Sequence, residues 1–469
     1  MSNAGSLFAE HALLPNGWAR DVLLEWDDQG CLSLVRPASP LPAGVLTAAG
    51  PLLPGMPNLH SHAFQRAFAG LTEFRGQSPG AEHDSFWSWR TLMYRFAAAL
   101  TPEHLRDVAT ALYVEMLEAG YTSVCEFHYV HHDRDGKRYA DDVTLSSCLV
   151  EAASTAGIGL TLLPVLYQAS GFGGLAPAEG QRRFIRTTDD MLRLLQRLKP
   201  LCKQNGARLG LAPHSLRAVN PGALAEVLHG LQAIDATAPI HIHVAEQTAE
   251  VDACLAWSGQ RPVQWLLDHA AVDERWCLVH ATHLTAEESR RAARSGAVVG
   301  ICPSTEANLG DGIFEMGAWR RHRGRWGIGS DSHISVNAAE ELMLLEYGQR
   351  LATRQRSVMA RDSERDVATA MTLDAVQGGA QASGRNVAGL AVGQQADCVV
   401  LDSRHPLLRE LPTPQAMLSA HVFSSHRRSA LRDVWVGGRH QVREAIHPLA
   451  GETSRAFVAA RREMLLSTA

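Results

Sequence analysis

The sequence predicts an α/β protein: a TIM-like (β/α)8 barrel over residues 51–385, a small β-sandwich domain formed by the N- and C-terminal segments 1–50 and 386–450, and a helical tail at 451–469. Three observations predict it. Eight apolar, strand-like runs alternate with helical stretches from residue 51 onward. The side chains best suited to bind a metal or move protons fall at the C-terminal ends of those runs, the face on which such barrels do chemistry. Both flanks instead carry short alternating runs, such as Leu32-Ser33-Leu34 and Val434-Trp435-Val436, with glycine turns and no helical period.

The elements follow in order. Residues 51–59 make the first strand candidate. Thr101-Pro102 is an N-cap with proline at the first helical position, Leu105, Val108, Leu112 and Met116 share one face, and Gly120 closes the helix. A strand over 122–127 follows, then a helix over 142–156 and a strand over 158–166. The helix at 189–204 stops at Asn205-Gly206, before a strand at 208–212. Asn220-Pro221 caps the next helix, and the strand at 239–245 comes after it. A helix over 261–271 precedes the strand at 276–280. Thr285-x-x-Glu288 is a capping box whose helix ends at Gly296, ahead of a strand at 297–301. The eighth strand candidate is 325–330, with helices over 338–352 and 363–377 behind it. A doubly wound open sheet is the alternative architecture.

Composition narrows the partners. A formal charge of −5 and a pI near 6.5 argue against a nucleic-acid or anionic-membrane surface. No stretch approaches the roughly 18 uninterrupted apolar residues of a membrane span. The eight cysteines are scattered without a C-x-x-C pair, which suits a reduced cytoplasm.

The chemistry sits in four strand ends. His60 and His62 lie two apart, so both side chains face one way. In Ile240-His241-Ile242-His243-Val244-Ala245-Glu246, His243 is the ligand candidate because it is nearest the strand's end, and His241 reads as a core residue one layer deeper. Asp331, after the last strand, completes a set of three nitrogens and one carboxylate, a divalent-metal site with an open position. Glu246 and His280 are acid–base groups beside it, with Asp331 sharing the handling of a water proton. Each residue also has a plainer reading: surface histidines, an aspartate capping a helix, a histidine supporting a ligand. Their joint occurrence favours the metal. None of the three lysines (Lys137, Lys199, Lys203) stands at a strand end, so no carboxylated lysine bridges a second ion, and one metal is expected. Oxygen and nitrogen donors without thiolate point to zinc, with iron and manganese as alternatives.

The run Pro54-Gly-Met-Pro-Asn-Leu-His-Ser-His62, the strand His243-Val-Ala-Glu246 and the closing Gly393-Gln-Gln-Ala-Asp-Cys-Val-Val-Leu-Asp402 resemble the amidohydrolase superfamily, in its mononuclear deaminase branch, over nearly the whole chain. Four further strings narrow the resemblance: His60-Ser-His-Ala-Phe-Gln65-Arg-Ala, Phe86-Trp-Ser-Trp-Arg90, Glu126-Phe-His-Tyr129-Val-His-His and Ala212-Pro-His214-Ser-Leu-Arg217. They imply hydrolytic deamination of N-formimidoyl-L-glutamate to N-formyl-L-glutamate and ammonia, a step of histidine degradation. The implied substrate is a small dicarboxylate, so Arg90 and Arg217 are expected to grip its carboxylates, with Gln65, Tyr129 and His214 adding hydrogen bonds, all from loops on the catalytic face. Trp87 and Trp89 read as packing residues, and His83, His128, His131, His132, His283 and His333 as support or surface. A cytoplasmic homodimer is expected. The rival readings are an imidazolonepropionase-like ring-opening hydrolase, a purine or pyrimidine deaminase, and a catalytically dead barrel that stores metal.

Overall fold

In a computed structural model, residues 3–73, 86–424 and 429–468 are described; Phe86, Trp87 and Ser88 are described by backbone alone. Among them the strands are β1 (Gly5–Leu14), β2 (Gly17–Trp26), β3 (Leu32–Arg36), β4 (Leu46–Thr47), β5 (Leu52–Pro54), β6 (Met56–Ser61), β7 (Tyr121–His128), β8 (Gly159–Leu166), β9 (Arg208–Leu209), β10 (Ala212–Pro213), β11 (Ile240–Val244), β12 (Trp276–His280), β13 (Val298–Ile301), β14 (Arg325–Ile328), β15 (Cys398–Leu401), β16 (Leu431–Val436) and β17 (Arg439–Val442). Strands from both ends of the chain form one mixed sheet in the order β17-β16-β15-β5-β1-β2-β3, with β4 beside β1. Two parallel sheets hold the rest, β10-β8-β7-β6 with β9 on β8, and β11-β12-β13-β14. Isolated parallel bridges join them at both sides, Ser61 with Asp331 at one and Leu211 with Ile240 and Ser215 with His243 at the other. Helices separate successive parallel strands, as the sequence predicts, except between β9 and β10.

Two expected strands are divided. Residues 51–59 become β5 and β6, because the chain passes from one sheet to another: β5 pairs with β1 and β15, and Gly55 N donates to Asp397 O, whereas Met56 N already donates to Gly120 O beside β7. The run 208–212 is interrupted at Gly210, where a Cβ would stand 2.5 Å from Pro239 O. The segment 386–445 also contains a helix the strand reading did not anticipate, Pro414–Ser424, which packs on helices Ala338–Thr353 and Val367–Ser383. Thr413 Oγ1 accepts from Ala416 N at its start, a local cap with proline after it. The C-terminal helix Ala450–Thr468 lies along helix Pro102–Glu118. No helix among the described residues is long and apolar enough to cross a membrane.

The period-2 alternation of the terminal strands sorts side chains into two cores. Leu52, Val400 and Trp435 join Leu7, Val22 and Leu24 in a small core, while their neighbours Leu53, Val399, Leu401 and Val434 face the large core that fills the parallel sheets. Both faces of this sheet are therefore covered, and β5 belongs to it while leading directly into β6 and the first two histidines.

Candidate active site

The strand ends gather at one cavity of about 680 Å³, part of it open to solvent. His60 lies inside the end of β6, fully buried, and His62 follows it; Nε2 of the two rings are 3.1 Å apart. His243 on β11 brings its Nε2 to 3.0 Å from that of His60. Asp331 stands past β14, its Oδ1 3.4 Å from both His60 Nε2 and His62 Nε2. All four donor atoms lie within 4.8 Å of one another. The approach of β14 to β6 needs a bare backbone at Gly329, where a Cβ would sit 2.8 Å from His60 Cβ.

The protonation of these rings follows from their outer partners. His62 Nδ1 donates to Phe127 O at 2.9 Å and His243 Nδ1 donates to His214 O at 3.1 Å. A carbonyl only accepts, so the neutral rings carry their protons on Nδ1 and turn bare Nε2 atoms inward. Burial keeps them neutral: it pushes His60 down to about 3, and His62 and His243 also fall below the ordinary histidine value. Burial alone would raise the Asp331 carboxyl, yet the His60, His280 and His62 imidazoles hold it below the usual carboxylate range. Lone pairs and one carboxylate converging without enough protons between them fit a divalent cation, with carbonyl partners fixing the ring orientation.

His280 Nε2 is 3.6 Å from Asp331 Oδ2 and 3.8 Å from Glu246 Oε1. Its Nδ1 lies 3.2 Å from Glu306 Oε1, which also accepts from Cys302 N. Burial opposes charge on this ring, but Glu246, Glu306 and Asp331 raise it to about 10. Burial raises Glu246, against the opposing charges of His280 and Arg217. Arg217 Nη2 is 3.9 Å from Glu246 Oε2. Ala245, His280, Ala281 and Asp331 all adopt φ between 46° and 65°, a left-handed conformation costly for non-glycine residues and concentrated here at the strand ends.

His62, Gln65, Arg90, Tyr129, His214, Arg217, His243, Glu246, His280 and Asp331 line the cavity, with His60 immediately behind. Gln65 Nε2 donates to Tyr129 OH at 2.8 Å, while its buried Oε1 has no hydrogen-bond partner among the described residues. Two placements differ from expectation. Arg90 is on the helix Phe86–Ala99 rather than in a loop, and Gln65 is on the short helix Ala63–Phe68. Trp89 packs on Phe68 and also lines the cavity; the Trp87 side chain and His83 lie outside the described residues. His241 donates Nε2–H to Ala382 O, one layer below the cluster. His131, His132 and His283 donate to the carbonyls of Val165, Ile185 and Asp311 and so brace the surrounding loops.

Sequence reasoning missed Glu306 and Glu126. Glu126 accepts from Ser61 Oγ, Ala63 N and Tyr113 OH, and burial pushes its carboxyl up to about 7. Ser61 also receives His333 Nε2, whose Nδ1 meets Ser330 Oγ, and Asn58 Nδ2 donates to that hydroxyl. This chain ties the segment bearing His60 and His62 to the one bearing Asp331. A buried glutamate in the quoted run Glu126-Phe-His was the available signal.

The amidohydrolase family profile matches residues 52–440. The chain is 52% identical to formimidoylglutamate deiminase of Pseudomonas aeruginosa, over 98% of this chain and 99% of that protein. It is 29% identical to 8-oxoguanine deaminase of the same species, over 77% and 76% of the two chains. The crystal structure of an amidohydrolase from Brucella melitensis superposes with a TM-score of 0.92 at 45% identity, covering 98% of this chain and all of that one. With its histidine pairs and aspartate carried on the strand ends of a matching fold, the chain belongs to the amidohydrolase family.

Proposed function

We propose that this protein hydrolyses the formimino group of N-formimidoyl-L-glutamate, giving N-formyl-L-glutamate and ammonia. The observation that carries the reading is one cavity lined both by a His/Asp/Glu cluster built for hydrolysis and by two guanidinium groups, Arg90 and Arg217. The similarity to the formimidoylglutamate deiminase of Pseudomonas aeruginosa supports the same substrate. His60, His62, His243 and Asp331 would hold one divalent cation, zinc in this reading, which supplies Lewis acidity toward water and the substrate.

The chain's own residues do the rest. Arg217 and Arg90 grip carboxylates through paired N–H groups. Gln65 Oε1 accepts from a substrate N–H, and Tyr129 and His214 complete the polar lining. Water oxygen bonds to the formimino carbon while Asp331 takes its proton and His280, held protonated by its neighbouring carboxylates, orients it. Glu246, 3.8 Å from His280, carries protons to the substrate nitrogen. The C–N bond then breaks, and both water protons leave on ammonia as the carbonyl forms. The two parallel sheets are read as one (β/α)8 barrel within 51–385, with the terminal sheet, which also takes in β5, as a β-sandwich of 1–50 and 386–450. Eight unpaired cysteines agree with a cytoplasmic setting.

The test is ammonia release from N-formimidoyl-L-glutamate and from its single-carboxylate analogues, beside ring opening of imidazolonepropionate, with metal measured on the same sample. Turnover of the dicarboxylate at one metal per chain is expected. Fully metallated protein that releases no ammonia from it, or prefers the ring substrate, overturns the proposal.

A further inference from the structure

Gln181 is 1% exposed and stands behind the cavity wall. Its Oε1 accepts from Ala178 N at 2.8 Å, which fixes the amide and turns its NH2 group toward two tyrosines. Nε2 donates to Tyr167 OH at 2.7 Å and to Tyr94 OH at 3.1 Å. Each phenol oxygen is thus an acceptor on its outer side, and its own proton must go elsewhere. Both tyrosines line the cavity beside Arg90 and Arg217. The Arg90 guanidinium carbon is 5.6 Å from the Tyr94 ring centroid. Among the described residues no carbonyl or carboxylate receives either hydroxyl. Tyr167 also shares a hydrogen bond with Tyr94, so one O–H of the pair remains for the cavity. Burial raises the Tyr167 hydroxyl, so it is a protonated donor at neutral pH.

Resting on the proposed substrate, we infer that the Tyr94–Tyr167 pair, oriented by Gln181, donates an O–H to a substrate carboxylate beside the arginines and helps select the dicarboxylate. Arginine alone accepts many anions; a fixed O–H donor adds direction. Tyr94 and Tyr167 would touch substrate, and Gln181 is a positioning residue.

The test compares wild type with Y94F, Y167F and the double variant, all keeping the rings that pack against Phe184 and His214. Substrates are N-formimidoyl-L-glutamate, its analogue lacking the α-carboxylate and its analogue lacking the side-chain carboxylate. A lost hydrogen bond to a charged group predicts a fall in kcat/KM of about ten- to hundredfold on the dicarboxylate, carried by KM. On one analogue, the one missing the contacted carboxylate, the fall should shrink to about threefold or less. Gln181→Glu, which would accept the phenol protons instead of donating, should reproduce the double variant's rise in KM with kcat retained. Equal losses on all three substrates, or none, overturn the inference. Calorimetry of N-formyl-L-glutamate binding to the metal-loaded protein separates the two readings. Wild type that binds it tenfold better than the double variant, yet releases no ammonia, refutes the reaction and keeps the donor pair. Equal binding by both, or by neither, refutes the donor pair.

Discussion

Glu246→Gln isolates proton transfer from metal binding. The carboxylate is buried at 4% exposure, 3.8 Å from His280 Nε2 and 3.9 Å from Arg217 Nη2, and it is outside the four-residue donor cluster. Glutamine keeps the shape. The charge it removes would leave Arg217 exposed to a desolvation cost, but Glu250 is the strongest of the groups that sustain that guanidinium, so the wall should stand. Metal content and melting temperature should therefore remain near those of wild type. Losing a positioned proton carrier costs about 10²–10⁴-fold in rate, or about 3–5 kcal/mol of barrier at 1.36 kcal/mol per tenfold. The assay is coupled ammonia release at saturating substrate, with metal counted on the same preparation. A fully metallated variant with kcat within about threefold of wild type would refute the role given to Glu246.

Other perturbations separate the remaining parts. His243→Ala should drop bound metal below about a tenth of wild type after dialysis, read by elemental analysis, because one of four donors to a single ion is gone; full retention would dissolve the ligand set. Chelation should lower both activity and melting temperature, and zinc should restore both, since an ion bound only by the folded state stabilises it. Arg217→Met should raise KM for the dicarboxylate by about a hundredfold, the worth of a charged hydrogen-bonded contact, with a smaller effect on one single-carboxylate analogue. Glu341, which receives Ser304 N and Oγ, is raised by burial from 4.5 to about 8. A carboxyl raised in the fold contributes stability that is complete below the unfolded value and is lost as pH rises through about 8. Glu341→Gln should therefore gain in melting temperature relative to wild type between pH 5 and pH 9; parallel curves would contradict it.

The four residues of the His/Asp cluster were legible because strand geometry is local. Two histidines two apart on an apolar strand face one way, and the choice of His243 over His241 followed from nearness to the strand end. What escaped was set by partners distant in sequence. The crossing at Gly55 depends on Asp397 and Gly120, and the break at Gly210 on Pro239. Glu306 reads as an ordinary acid in the first turn of the helix Pro303–Leu309 until folding presses it against His280. Arg90 was assigned to a loop although Trp89, Met93 and Phe96 carry helical spacing; a long polar stretch before them obscured it. The Gln181 amide behind two tyrosines could not be inferred, since Tyr94 comes from another helix and Tyr167 follows a strand.

The short strand Leu52–Pro54 hydrogen-bonds within the terminal sheet, and only five residues separate Pro54 from His60. A chimera that grafts these barrel strands onto a foreign terminal module would therefore move the anchor point of the first donor atom. Recombination junctions that preserve activity should fall outside residues 52–62, leaving that splice intact.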